Sequence, residues 1–406
     1  MHSDLLINRP TVVTIDHARK HITLGTIIAS SVLTSLLLFN YSNPPSLTLA
    51  LGAIGLVVHI AYTLASLVHK RQIPLQFVSV MSAFGLWAIT SALAGPHVHD
   101  LGLHFEMLGH TTLYFAGGLC LGYGWFTRRW IPQPAILTVA GIFVAVVLIV
   151  AVVESSSDHL VSLFRDRNFL AFSSAMVLLL TYYHQSKGLT VSVLRIMLVG
   201  IILGTASVSG LIFVLMIASW RYIEKIRGAA DRRSKLKTRF VVGIGAGIMG
   251  TAILYSPAID RAEQFVVLLT EGSQELHAMS SAARRENLLY EGARIISENV
   301  WTGVGYGTVP NVVRIRHEGE GYTLHNTFLE IWASAGAVPF MIFLCSVVCV
   351  FTKAWRGRHN RVNRFCLTGM LVCTAFAMTY TVYHRMAPVT FFAFFVYAIM
   401  RRGRLE

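Results

Sequence analysis

Charged residues are scarce in this chain of 406 residues: Asp, Glu, Lys and Arg make up 13% of it, whereas an ordinary soluble domain has about 25%. Hydrophobic residues make up 54%, and the mean hydropathy is +0.59. The shortage of charge excludes an ordinary cytoplasmic enzyme, and the excess of apolar residues excludes a disordered tail. We therefore predict an all-α, polytopic integral membrane protein.

Cysteine is also scarce, and all five cysteines lie in apolar segments. The polar segments therefore predict neither a disulfide framework nor a thiolate zinc site. Among the eight histidines on the predicted outer side, only His97, His99 and His104 form a close group, and no Cys or acidic pair completes a zinc spacing around them. The sequence thus predicts no metal centre. The cysteines are Cys120, Cys345, Cys349, Cys366 and Cys373.

Apolar segments indicate about twelve transmembrane helices, because a spanning helix needs about 20 mostly apolar residues. The candidates run roughly over 22–40, 46–68, 74–94, 107–127, 134–153, 168–184, 188–206, 208–222, 239–256, 325–352, 365–384 and 387–400. One long polar loop separates the ninth from the tenth. We divide the chain accordingly into spans one to nine (1–256), the loop (257–324) and spans ten to twelve (325–406).

Basic residues are divided unequally between the two sides of this predicted topology. With both termini in the cytoplasm, 24 basic and five acidic residues lie inside, which gives +19. Nine Arg and fifteen acidic residues lie outside, which gives −6, and Arg195 lies within a span, which adds +1; all seven Lys lie inside. The net charge of +14 is therefore explained by topology and by contact of the basic loop 221–239 with membrane lipid, so nucleic acid is not needed as a partner.

The second half of the outer loop has a helical pattern. Apolar residues at 288, 289, 293, 295 and 296 predict a helix with one buried face, which the glycine-rich turn at 300–307 then ends. The G-x-G-x-G in that turn is weak evidence for a nucleotide site, because no strand precedes it and no Lys-Ser/Thr follows it. We expect no nucleotide there.

Two membrane entry points carry polar side chains. His325, Asn326 and Glu330 lie in the first two turns of the tenth span, where ionisable groups usually face the protein interior or a water-filled cavity. His325 is either a general base, with Asn326 and Glu330 as orienting groups, or an interfacial residue that anchors the helix end. At the sixth span, Asn168 either caps the helix or belongs to a site, and the nearby Arg165 and Arg167 are either interfacial anchors or ligand contacts.

Together these patterns resemble the O-antigen ligase and polymerase superfamily. An entry segment at 165–171, Arg-Asp-Arg-Asn-Phe-Leu-Ala, is similar to the N-x-x-A segment of that family, and twelve spans with one long outer loop fit it too. The other matching residues are Arg285, Leu289, Gly303, Gly305, His325, Asn326, Leu329, Glu330 and Gly336.

The resemblance implies a function. The ligases of this family transfer a glycan from undecaprenyl diphosphate to the lipid A-core oligosaccharide, on the periplasmic face of the bacterial inner membrane, without metal, nucleotide or another cofactor. It implies that His325 is the base for the acceptor hydroxyl and that Arg285 holds the diphosphate. The substrate contacts would be Arg165, Arg167, Asn168, Arg284, Asn326 and Glu330.

One position departs from the family. A second Arg is usual between the seventh and eighth spans, and here Val208 occupies that place. Either Arg165 or Arg167 makes the second phosphate contact, or the donor binds differently. The alternatives are an O-antigen or exopolysaccharide polymerase of the same superfamily and, from another class, a membrane transporter of lipid or solute.

Overall fold

The structure is a computed structural model. It describes residues 26–27, 29–33, 45–69, 75–93, 100–127, 133–153, 166–183, 188–205, 207–228, 281–317, 323–381 and 385–401. Every regular element within these ranges is a helix, which confirms the predicted all-α class. The predicted span at 239–256 and the first part of the outer loop lie outside the described residues.

The described helices follow the apolar segments closely, and nine of the predicted spans each overlap one helix. By length and composition, α11 and α12 are each able to cross a membrane. The helices are α1 Pro45–His69, α2 Leu75–Leu93, α3 Leu101–Phe126, α4 Gln133–Val153, α5 Arg167–Tyr183, α6 Leu189–Gly204, α7 Val208–Gly228, α8 Ser281–Glu298, α9 Val309–His317, α10 Thr327–Ala335, α11 Ala337–Arg356, α12 Arg361–Thr379 and α13 Met386–Met400.

Helix α13 lies at the centre of the bundle and is buried along nearly its whole length. It packs along α3, where two glycines four residues apart permit a close approach. A Cβ at Gly118 would overlap the Thr390 carbonyl group, and one at Gly122 would lie 2.9 Å from the Tyr397 Cβ. Small residues at this spacing commonly allow two helices to approach each other closely, especially in membrane proteins.

Hydrogen bonds join the helix ends into two groups. At one end of the bundle, Asn168 at the start of α5 meets Ser207 before α7, and Thr327 at the start of α10 meets Tyr380 after α12. At the opposite end, helix termini are joined through Lys353–Met400, Thr127–Tyr397 and Arg361–Tyr183. The two groups therefore mark the two opposite ends of the bundle.

The predicted tenth span, 325–352, is not one continuous helix. It consists of α10 and α11, which are separated at Gly336 (φ 81°). A Cβ at Gly336 would overlap the Trp301 carbonyl group, so only glycine fits this approach. The prediction of an unbroken span was wrong because the apolar composition continues across the break.

Helix α8 has one buried face, as predicted, but the residues that form this face differ in part from the predicted ones. Leu288, Ile295 and Ile296 are buried, whereas Leu289 is 42% exposed and Ala293 is exposed, so these two assignments were wrong. The buried face instead includes Gly292, where a Cβ would lie 2.8 Å from Leu324 Cδ1. Because α8 packs against Leu324, in the segment before α10, its buried face lies on the side that carries Gly292.

Candidate functional site

The glycine-rich turn supports the break between α10 and α11. The amides of Val304 and Gly305 donate to the carbonyls of Ala333 (2.8 Å) and Ser334 (2.7 Å), which end α10. Val300 accepts from the first amide of α11, that of Ala337, at 2.8 Å. Backbone groups freed by a helix break must find partners when they are buried. The turn supplies those partners, and its two amides are therefore committed to the protein rather than to a phosphate group.

The same turn is fastened to α3. The Tyr306 amide donates to His104 Nδ1 at 2.9 Å, and both side chains are fully buried. Because Nδ1 accepts this bond, the neutral ring carries its proton on Nε2. His104 thus holds the turn, while His97 and His99 lie outside the described residues. Within the described part of the chain, no group of three His, Cys, Asp or Glu side chains is arranged to hold a metal.

Asn326 fixes the start of α10. Its Oδ1 accepts from the amides of Phe328 (3.0 Å) and Leu329 (3.2 Å), and its backbone is extended, as is usual for a residue that caps a helix. This predicted contact residue therefore has a structural task, which is to set the direction in which the chain enters α10. The residue immediately before it is His325.

His325 has a strained backbone. Its φ of 52° is the only positive φ of a non-glycine residue in the described ranges. Such a conformation costs about 1 kcal/mol or more, and it persists only where the surroundings impose it. Its ring is partly exposed and meets the Tyr380 ring edge-on, with centroids 5.2 Å apart. The strain thus falls on the residue for which the family resemblance implies a catalytic role.

A buried carboxyl group holds the segment before His325. Glu330 is 1% exposed, and its Oε2 accepts from the Leu324 amide at 2.8 Å and from Thr381 Oγ1 at 3.4 Å. Its Oε1 has no hydrogen-bond partner within the described residues. Glu330 lies in α10, before the membrane-length helix α11.

Tyr380 joins three segments around the imidazole. Its hydroxyl donates to Asp166 Oδ2, and its carbonyl accepts from Thr327 Oγ1 at 2.7 Å. Asp166 also accepts from the Asn168 amide at 2.7 Å, through Oδ1. The entry of α5, the entry of α10 and the end of α12 therefore meet at His325.

Asn168 does not cap α5, so that interpretation was wrong. Asp166 is the capping residue, whereas Asn168 Oδ1 accepts from Ser207 Oγ at 2.7 Å. Ser207 precedes Val208, whose side chain is 39% exposed at the same end of the bundle. Arg167 is the first residue of α5, and Arg165 lies outside the described residues.

The two loop arginines are carried by α8. Arg284 and Arg285 lie within its first two turns, and their side chains lie outside the described part of the structure. Through Gly292, the helix contacts Leu324, the residue before His325. The predicted base and the predicted diphosphate contact are thus on elements that touch each other.

Three residues of this region were missed in the sequence. Asp166 is an acid just before a helix start, which is a recognised capping signal. Tyr380 has no local signal, because only the fold brings it to His325. Arg385, at the start of α13, lies with its guanidinium carbon 5.7 Å from the centre of the Phe169 ring, next to Asn168. The sequence identified it only as an outer Arg.

An apolar cavity of about 400 Å³ begins beside this cluster. Thr327 and Phe328 line it at the end near His325, and its lining continues along α13 from Pro388 to Met400. Twelve residues of helix correspond to about 18 Å, more than half the thickness of a bilayer core. One end of this cavity therefore lies near the imidazole, and the cavity is long enough for a hydrocarbon chain.

No model of a known protein family matches the chain, and no curated protein matches it. The support for a function therefore comes from the residues, their spacing and their geometry.

Proposed function

We propose that this protein is a membrane glycosyltransferase of the O-antigen ligase type. It would transfer a glycan from undecaprenyl diphosphate to the lipid A-core oligosaccharide at the periplasmic face of the bacterial inner membrane. The observation that carries the proposal is a strained His325 at the end of an apolar cavity that follows α13. A lipid-linked donor needs this combination of a long apolar site and a proton acceptor at its polar end.

The polytopic topology belongs to the same proposal. About twelve spans with both termini in the cytoplasm would put the His325 cluster outside. The grouping of helix ends supports it, because every pair joined near Tyr380 is predicted to be outer. Large apolar side chains that are exposed on the helices also support it, such as Leu189 (82%) and Ile196 (71%) on α6, since a bilayer would cover them.

In the proposed reaction, His325 takes the proton of an acceptor hydroxyl group. The hydroxyl oxygen forms a bond to the anomeric carbon of the donor sugar, and the bond from that carbon to the diphosphate oxygen breaks. The diphosphate leaves with the electron pair, and His325 then releases its proton to water. A single positioned imidazole is sufficient for such a proton transfer.

Arginine would stabilise the leaving group. Negative charge grows on the diphosphate as the bond breaks, and a fixed guanidinium is suited to stabilise it. Arg285 on α8 is the proposed contact, with Arg284 beside it. Because the sugar–diphosphate bond already stores the energy of transfer, the proposal needs neither a metal nor a nucleotide.

The polymerase alternative shares all of this chemistry. An O-antigen or exopolysaccharide polymerase would use a second lipid-linked glycan as acceptor. A deletion strain separates the two activities by the glycan that remains on the lipid carrier. Loss of capped lipopolysaccharide with long polymer on the carrier indicates a ligase, whereas loss of polymer with single repeat units on the carrier indicates a polymerase. Unchanged lipid-linked glycan would contradict both.

The transporter alternative has one observation in its favour, the helix break at Gly336. Broken helices in transporters expose backbone groups to the substrate. Here, the carbonyls of Ala333 and Ser334 and the amide of Ala337 bond to the glycine-rich turn instead. The break therefore supports a docked outer segment and gives little support to a transport pathway.

A further inference from the structure

Arginines are crowded at the end of the bundle opposite His325. Arg195 of α6, Arg221 of α7, and Arg361 and Arg364 of α12 form what we name the arginine cluster. The Glu224 carboxylate lies in its centre. It is 2.9 Å from Arg221, 3.5 Å from Arg361 and 3.6 Å from Arg364.

The Tyr182 ring connects Arg195 to the other three arginines. The guanidinium carbons of Arg195 and Arg221 lie 4.1 Å and 4.7 Å from the centre of the Tyr182 ring. Arg195 and Arg221 are close enough to repel each other, and Arg361 is repelled by both Arg221 and Arg364. The four positive charges therefore act as one group.

The carboxylate does not balance this group. The four arginines carry four positive charges. Glu224 carries one negative charge, and the C-terminal end of α5 is equivalent to about half a negative charge. Arg195 and Arg361 bond the last carbonyls of that helix, those of Thr181 and Tyr183. The start of α12, at Arg361, adds about half a positive charge. An excess of about three positive charges remains within the described part of the chain.

Burial makes this excess costly. The side chains are only 22% exposed in Arg221, 34% in Arg361 and 15% in Arg364. Water therefore screens their repulsion less than it would on an open surface. Only five acidic residues of the whole sequence fall on the predicted inner side, so the protein itself offers few counter-charges.

We propose that the arginine cluster binds the phosphate group of an anionic phospholipid. A guanidinium fork suits a phosphate because it donates two parallel hydrogen bonds. A lipid fits the location better than a free anion. Arg195 lies seven residues beyond Gly188, or about 10 Å along α6, which brings it beneath the helix end. Next to it, Val193 (44% exposed) and Ile196 (71%) provide an apolar surface for acyl chains.

A purely structural explanation is the alternative to exclude. The arginines would then serve only to satisfy the end of α5, and their loss would lower stability equally in every lipid. A phospholipid site predicts instead a selective loss of the response to anionic lipid. This inference does not depend on the glycosyltransferase proposal, so either can fail while the other stands.

The experiment titrates phosphatidylglycerol into the purified full chain in phosphatidylcholine nanodiscs and counts bound lipid by native mass spectrometry. We compare the parent with Arg195→Gln, with Arg221→Gln and with the control Arg356→Gln, which removes an exposed Arg from the end of α11. The two cluster variants should bind phosphatidylglycerol about 10- to 100-fold more weakly, as expected when a charge-assisted hydrogen bond is lost. The control should bind like the parent.

Three outcomes would overturn the proposal. One is that the cluster variants bind phosphatidylglycerol like the control. Another is that inorganic phosphate alone protects the parent against heat as well as phosphatidylglycerol does, because the ligand would then be a free anion. The third uses Arg221→Lys, which replaces the Gln variants if these do not fold. This variant keeps the positive charge but loses the guanidinium fork. Unchanged phosphatidylglycerol binding by Arg221→Lys would show that the two-pronged contact with phosphate plays no part.

Discussion

Replacing His325 by Ala is the most informative perturbation, because the structure allows its effects on stability and on chemistry to be separated. Loss of a general base should slow transfer about 10²- to 10⁴-fold, or about 3–5 kcal/mol in the barrier. Truncation of the side chain removes the edge-on ring pair with Tyr380, at 5.2 Å, which is worth about 0.5–1.5 kcal/mol and so less than the loss expected in the barrier. The variant should therefore fold, bind donor and fail to transfer.

His325→Gly provides a second variant with a different energetic effect. At φ 52°, Ala retains the backbone strain and Gly does not, so the Gly variant should be up to about 1 kcal/mol more stable than the Ala variant. Both should be equally inactive if the imidazole acts as the base. An activity that instead rises with stability from Ala to Gly would indicate an anchoring residue.

The assay measures donor binding and glycan transfer on purified protein, together with the thermal midpoint of each variant. His359→Ala is the matched control, because that histidine is exposed at the opposite end of the bundle. Its transfer rate should equal that of the parent. Transfer by His325→Ala within about threefold of the parent lies far outside the general-base range and would refute the proposed role.

Three further outcomes are expected. Tyr380→Phe keeps the ring but removes the hydroxyl that donates to Asp166, which should cost about 1–3 kcal/mol and slow transfer; an unchanged midpoint and rate would contradict this. Arg285→Ala should abolish transfer and Arg285→Lys should restore little, as measured by single-turnover transfer. Transfer should persist in excess chelator, and its rescue by a divalent ion after full inhibition would indicate a metal-dependent enzyme instead.

Most helices could be predicted from the sequence because each of them coincides with a long apolar run. The same criterion failed at Gly336, where apolar residues continue across the break between α10 and α11. The signal there is conformational: a glycine with φ 81° faces the Trp301 carbonyl of a distant turn. A hydropathy profile gives no sign of this contact between Gly336 and Trp301.

In the candidate site, residues at helix starts could be recognised from the sequence, whereas residues brought together by helix packing could not. His325 and Asn326 stand out by their position at a helix start, and the structure assigns capping to Asn326. Asn168 was one of two open interpretations at the start of α5, as a cap or as a site residue, and Asp166, which caps the helix, was not considered, since the sequence leaves the start uncertain by a few residues. Tyr380 was missed entirely, because it lies 55 residues from His325 and only helix packing brings the two rings together.

The glycine-rich turn links the two halves of the proposed mechanism. Its sequence resembles a phosphate-binding loop, yet Val304 and Gly305 use their amides to hold the end of α10. The same segment follows α8, which carries Arg285 and packs through Gly292 against Leu324, the neighbour of His325. A transfer reaction requires the base and the leaving-group contact to keep a fixed separation, because small displacements of reacting groups are costly. In the proposed mechanism the turn would fix α8 to α10 and α11, so a longer or more flexible turn should impair transfer even with every proposed catalytic side chain intact.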